Sequence, residues 1–276
     1  MMLNREPDKE GYDHYLNLLT SGKITPSELE NIFKNSLEYK LSHPIDYDSD
    51  NITVEEKMKK EWDARAKMNT MFVISTDNSD NEDNFWASGI VDCETILGQN
   101  NTRFDKIIFN KDPKNMRVLE IGCGIGRLLL PMSKIFGQVV GIDVSSEMVK
   151  IGQKQLGSIS NCKIYENNGI DLSEFRDNSF DFCYSFIVFQ HIPDKAIIEN
   201  YVKEVSRILK PGCLFRFQIR GTISSKPKKI TTWDGVQFTS NEIHDIAKEN
   251  NFEIIEEGND KDEYYWITFK SKKLQY

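Results

Sequence analysis

The chain has 276 residues, 39% of them hydrophobic and 28% charged, and a formal net charge of −8. That size supports one large domain, or one domain with a smaller companion, around a core that needs no disulfide or structural metal. The acid excess lies entirely before residue 112, where 13 basic side chains face 21 acidic ones; the rest carries 22 of each. Neutralising many phosphates takes a basic surface, so nucleic acid is disfavoured as a partner. A spanning helix needs about 20 apolar residues, whereas Phe186–Phe189 is as long an apolar run as the chain contains, so no membrane span is expected. The polar, acidic start is no secretory signal. Cys93, Cys123, Cys162, Cys183 and Cys213 are scattered without a CxxC pair. Reduced thiols, a cytoplasmic location and no metal site are expected.

Two short helices open the chain. Tyr12, Tyr15, Leu16 and Leu19 share a helical face over Asp8 to Leu19. Thr25 then caps a helix, Pro26 takes its first position and Glu28 completes a capping box. Residues 1–41 are predicted to be a small helical module, and 42–54 a polar linker. Glu55–Met71 and Phe85–Leu97 read as helices, with an exposed loop at 75–84. Residues 42–111 are assigned to the linker and a helical lid.

From Arg117 strands and helices alternate. Strands are predicted at 118–121, 139–142, 162–165, 180–186 and 214–219, with helices after the first, second and fourth. That order predicts an α/β fold, a parallel sheet covered on both faces, within a domain of residues 112–276. Lys210-Pro211-Gly212 breaks the chain before the fifth strand. Thr239 and Glu242 form another capping box, opening a helix to about Glu249. Phe252–Glu256 and Tyr264–Lys270, joined by a tight turn, predict an antiparallel final pair.

The chemistry concentrates in Glu120-Ile-Gly-Cys-Gly-Ile-Gly126, between the first strand and its helix. Gly122 and Gly124 carry no Cβ, so backbone can approach a ligand. The loop has an acid where a diphosphate would be repelled and a cationic amino-acid ligand attracted. Asp143 ends the second strand, placed for a two-pronged bond to ribose hydroxyls. Asn168-Gly169 follows the third, where an amide can meet an adenine edge.

VLEIGCGIGRLLLPMSKIFGQVVGIDVSSEMV resembles the first two motifs of class I S-adenosylmethionine-dependent methyltransferases. NNGIDLSEFRDNSFDFCYSFIVFQHIPD resembles their third and fourth, and LKPGCLFRFQI the turn into the fifth strand. The resemblance implies a Rossmann-like seven-stranded sheet of order 3-2-1-4-5-7-6 with strand 7 antiparallel. It implies S-adenosylmethionine as cofactor and S-adenosylhomocysteine as product. Gly122, Cys123, Gly124 and Gly126 would form the loop, and Glu120 would organise it or reach the methionyl ammonium. Asp143 would hold the ribose, Val144 and Met148 the adenine face, and Asn168, Gly169 and Ile170 the adenine edge. Ser185 and Phe186 would stand beside the methyl donor. Residues 5–39 resemble a short helical module of unassigned function found in bacterial proteins, several linked to glycans. A protein partner could dock there.

A hydroxyl acceptor needs a general base. His191 follows the fourth strand at the edge where ligands bind and is the candidate, although it could instead only cap the next helix. Arg65, Trp86 and Trp233 are candidates for acceptor contacts, with packing roles the alternative. The expected reaction is methyl transfer to a hydroxyl or amine of a small polar acceptor, a sugar or a nucleotide-sugar or glycan precursor. A protein methyltransferase and a non-catalytic cofactor-binding scaffold are the competing readings.

Overall fold

The computed structural model describes residues 8–36, 39–40, 52–75, 78, 81–98, 111–222 and 230–272. The chain divides into two compact units, 1–51 and 52–276. In the first, α1 (Lys9–Thr20) is capped by Asp8, whose carboxylate accepts from the Gly11 N–H at 2.7 Å. α2 (Pro26–Asn35) starts with the predicted reciprocal box between Thr25 and Glu28. The Tyr15 and Phe33 rings meet at 5.1 Å, yet no residue of either helix is buried. The linker expected at 42–54 falls outside the described residues as far as residue 51.

The second unit opens with α3 (Val54–Ile74), which starts at a capping box of Thr53 and Glu56. It is broken at Asn69 (φ −162°, ψ 96°), whose side-chain oxygen accepts from the Phe72 N–H and restarts the helix. α4 (Glu82–Leu97) is capped by Asn81 and ends on left-handed Gly98. Both helices fall within the same compact unit as the sheet.

The sheet contains β1 (Arg117–Ile121), β2 (Gln138–Asp143), β3 (Cys162–Glu166), β4 (Phe180–Ser185), β5 (Leu209–Gly221), β6 (Gln237–Phe238), β7 (Phe252–Glu257) and β8 (Tyr265–Ser271). Its order is β3-β2-β1-β4-β5-β8-β7, with two-residue β6 beside the end of β5. Without β6 this is the expected 3-2-1-4-5-7-6 arrangement. β8 runs antiparallel to both neighbours, and the other pairs are parallel. β5 begins earlier than expected. Leu209 pairs with Phe180, the Lys-Pro-Gly stretch bulges out, and pairing resumes at Leu214 with Phe182. Proline has no N–H to give a ladder, which is why it sits in the bulge.

The period-two alternation of the strands divides the core. Leu119, Ile121, Cys183, Phe215 and Phe217 face one side, covered by α7 (Lys195–Ile208) and α8 (Ser240–Glu249). Val118, Val139, Phe182, Tyr184 and Leu214 face the other, covered by α4, α5 (Leu129–Ile135) and α6 (Ser146–Leu156). Phe217 stacks on Phe215 at 4.4 Å and meets Phe269 at 5.2 Å. Truncating a buried phenylalanine removes its transfer energy and leaves a cavity, so Phe217→Ala is expected to destabilise by about 3–5 kcal/mol in urea unfolding. A chain beginning at Asn51 is expected to remain soluble and to unfold in one cooperative transition; aggregation of that product would mean residues 1–50 complete the larger core.

Candidate cofactor site

The strands β1, β2 and β4 deliver their C-terminal ends to one edge of the sheet. After β1 the chain must turn immediately, and it does so on left-handed Gly122 (φ 76°) and Gly124 (φ 53°). The Gly122 and Cys123 N–H groups both donate to the Ile142 carbonyl, at 2.8 and 2.9 Å. A Cβ on Gly122 would lie 2.4 Å from a Val188 methyl. No side chain fits there, in conformation or in space.

Asp143 pins this turn from the next strand. One carboxylate oxygen accepts from the Gly124 N–H and the other from the Ser145 N–H, each at 2.8 Å. Its pKa is pushed up to about 6 by burial, against those hydrogen bonds and reinforced by the neighbouring charge of Asp63. Asp63 on α3 accepts from the Ser145 hydroxyl at 2.6 Å and the Glu147 N–H at 3.1 Å, docking α3 on the start of α6. Glu120 is buried and accepts from the Tyr184 hydroxyl at 3.0 Å. Burial raises it to about 8; Tyr184 and Arg127 resist that rise, and Asp143 adds to it.

These groups line a pocket of about 110 Å³. Of the residues expected from sequence, Glu120, Gly122, Cys123, Gly124, Asp143, Val144, Met148, Gly169, Phe186 and His191 line it. Others do not. Gly126 lies behind the loop, where a Cβ would meet Leu156 at 2.4 Å. Ser185 is buried and donates to the Ile121 carbonyl at 3.1 Å. Asn168 is exposed, its oxygen accepting from the Ile170 and Asp171 N–H groups, and neither Asn168 nor Ile170 lines the pocket.

The amide that reaches the pocket is Asn167, one residue earlier. Its oxygen accepts from the Tyr201 hydroxyl at 2.6 Å and the Gly169 N–H at 2.9 Å. Its nitrogen donates to the Asp171 carbonyl and to Glu174. Asn167 therefore braces the turn. Met58 from α3 also lines the pocket, beside Val144 and Gly169: a Cβ on Gly169 would lie 3.0 Å from Val144 and 3.5 Å from Met58.

Part of the lining is aromatic. His191 ends a short 3-10 turn after β4, with Nδ1 2.6 Å from the Trp233 carbonyl. A carbonyl only accepts, so Nδ1 carries the hydrogen and Nε2 keeps its lone pair. Burial pushes the imidazole down to about 4, although the Trp233 carbonyl and Asp234 oppose the fall; Arg65 and Arg220 add to it. Trp62 crosses the His191 ring at 5.5 Å and lines the pocket. Trp233 lies against both rings, at 5.5 Å from His191 and 6.3 Å from Trp62, but stays outside the lining.

Arg65 is fully buried, with its guanidinium over Trp62 at 4.8 Å and over Trp233 at 5.5 Å, and it donates to Glu61. It supports the aromatic wall and does not reach the pocket surface. Trp86 donates to Glu82 on its own helix and lies outside the pocket lining. Sequence reasoning passed over Arg127, which donates from Nη1 to Ser88 and Asp92 of α4, at 2.8 and 2.6 Å, and also lines the pocket. It also passed over Ile187, a β-branched residue at φ 55°, whose N–H donates to Gln218. Such a conformation is strained and was invisible in composition or spacing.

Residues 119–217 match a family described as a methyltransferase domain. The demethylmenaquinone methyltransferase of Staphylococcus aureus is 34% identical over 102 residues, which is 36% of this chain and 41% of that protein. The chain thus spans less than half the length of the curated relatives it matches. The structure of Haemonchus contortus phosphoethanolamine N-methyltransferase 2 with S-adenosyl-L-methionine aligns with a TM-score of 0.59 at 18% identity, over 81% of this chain and 60% of that one. Residues 119–217 thus match a methyltransferase domain, and the fold around them is one shared with that S-adenosyl-L-methionine-bound structure.

Proposed function

We propose that the chain transfers a methyl group to a hydroxyl of a small polar acceptor, of the sugar, nucleotide-sugar or glycan-precursor kind. The observation that carries the reading is the convergence of Glu120, Asp143 and the left-handed glycine turn on one pocket, with an unprotonated His191 nitrogen in its aromatic lining. The residues present fit S-adenosylmethionine. A Cβ would block the turn at Gly122, a buried acid suits an ammonium, and Asp143 keeps lone pairs for ribose hydroxyls. When bound, that cofactor supplies an electrophilic methyl on a sulfonium, so the protein's task is to orient the acceptor and accept its proton.

His191 supports the hydroxyl reading because Trp233 holds its tautomer and burial keeps it neutral throughout the physiological range. Trp62 offers an aromatic face to a ring-shaped acceptor. The free thiols of all five cysteines support a reducing, cytoplasmic setting. Among the described residues no helix is long and apolar enough to cross a membrane. Release of S-adenosylhomocysteine across a panel of sugars, nucleotide sugars, amines and demethylmenaquinone tests the acceptor class. Turnover confined to amines or to the quinone would overturn the sugar reading.

At neutral pH Glu120, raised to about 8, is largely protonated. An ammonium held against it favours the carboxylate, so binding expels that proton. S-adenosylhomocysteine affinity is therefore expected to rise roughly tenfold or more from pH 6 to pH 8 and then level. Calorimetry in buffers of different ionisation enthalpy would register the released proton, and Glu120→Gln should flatten the profile.

His191→Ala is expected to lower turnover of a hydroxyl acceptor by about 10²–10⁴ while cofactor affinity changes little. With the imidazole near 4 instead of about 6.5, wild-type turnover should show no His191 limb between pH 6 and pH 8. A rate that climbs through pH 6.5 would place another base in the reaction.

A further inference from the structure

His191 keeps its hydrogen on Nδ1 because the Trp233 carbonyl faces that nitrogen, at 2.6 Å. The tautomer therefore depends on how the turn at 231–235 is held. Its C-terminal half is fixed to the histidine's own 3-10 turn, where the Gly235 N–H donates to the Gln190 carbonyl at 2.9 Å. Its N-terminal half folds on itself: the Thr231 hydroxyl accepts from the Trp233 and Asp234 N–H groups, at 3.1 and 3.0 Å. Asp234 pairs with Arg220 of β5 at 2.8 Å. Among the described residues, one hydrogen bond ties the turn to α3: the fully buried Thr232 hydroxyl donates to Glu61.

A buried carboxylate is unfavourable unless it is paired and hydrogen-bonded. Glu61 is 5% exposed. The oxygen that takes the Thr232 hydroxyl lies 3.4 Å from Arg65 Nη2, and the other lies 3.8 Å from Lys57. Arg65 in turn stacks on Trp62 and Trp233, whose rings both pack on His191. Neither Glu61 nor Thr232 lines the pocket. Their bond joins segments 171 residues apart, one residue before the carbonyl that sets the histidine.

We propose that Glu61 and Thr232 are positioning residues for His191: from α3, their hydrogen bond sets the Trp233 carbonyl against Nδ1 and so leaves the lone pair on Nε2. The consequence for turnover rests on the His191 reading above; the tautomer does not.

Nitrogen-15 NMR reads which ring nitrogen carries the hydrogen, and the His191 signal is the one missing from His191→Ala. In the full chain at neutral pH the wild type is expected to carry it on Nδ1. Thr232→Val keeps the shape without the hydroxyl and is expected to move part of the population to the Nε2–H form. Its kcat on a hydroxyl acceptor should fall about tenfold, the scale of one hydrogen bond to a charged group, with KM and S-adenosylhomocysteine affinity within about twofold. Thr232→Ser returns the hydroxyl and is expected to restore both tautomer and kcat. Should the valine variant fail to fold, Thr232→Ala removes the same hydroxyl and carries the same expectation. A tautomer that stays on Nδ1 without the hydroxyl, or a serine variant as impaired as the valine one, would overturn the assignment. A shifted tautomer with undiminished turnover would uphold the positioning role and remove His191 from the reaction instead.

Discussion

The site depends on one carboxylate spanning two strands' ends. Asp143 accepts from Gly124 with one oxygen and from Ser145 with the other, so the β1 turn and the start of α6 share a single anchor. Backbone N–H groups at a sharp turn have no ladder partner, and an unmet buried donor is unfavourable. The neighbouring Ile142 carbonyl takes the next two N–H groups of the same turn. The end of β2 therefore shapes the loop after β1, and the two strands can do this because they are paired in register, Ile121 beside Ile142.

Concentrating acids at such an edge has an electrostatic consequence. Glu120, Asp143 and Asp63 lie close enough that Asp143 raises Glu120 and Asp63 raises Asp143, while burial acts on both pocket acids in the same direction. Their environment disfavours negative charge, and a cationic ligand relieves the strain. Arg127 and Tyr184 moderate it from one side.

α3 contributes both lining and anchor. Met58 and Trp62 line the pocket, Asp63 fastens the helix to α6, and Trp62 packs on the His191 ring. Arg65 backs that wall by stacking on Trp62 and Trp233 while tied to Glu61, which also accepts from Thr232. The segment around Trp233 is held in place from below, since the Gly235 N–H donates to the Gln190 carbonyl and the Val236 N–H to that of Ile192. A Cβ on Gly235 would lie 2.4 Å from the Ile192 carbonyl, so only glycine permits this approach. His191 thus receives its tautomer from a loop more than forty residues away.

Periodicity, caps and spacing were enough to determine the strands, their alternation with helices, and the glycine turn with Glu120 and Asp143 beside it. Those are local properties: a period of two or 3.6, a capping box such as Thr239–Glu242, an acid at a strand end. Lys210-Pro211-Gly212 read as a break before a strand at 214–219, and only the paired structure shows that the strand already starts at Leu209 and bulges across that break. Which of two neighbours turns inward is settled by packing. Asn167 and Asn168 are chemically identical, and the choice between them follows from Tyr201 on α7 and the Gly169 turn, contacts between segments that adjacent letters do not encode. The same holds for Arg65, whose charge suggested a ligand contact and whose burial between two tryptophans makes it a support. It holds for Arg127, whose partners Ser88 and Asp92 lie on α4, more than thirty residues away. Chemistry is written residue by residue, but exposure, partners and protonation are set by what the rest of the chain brings alongside.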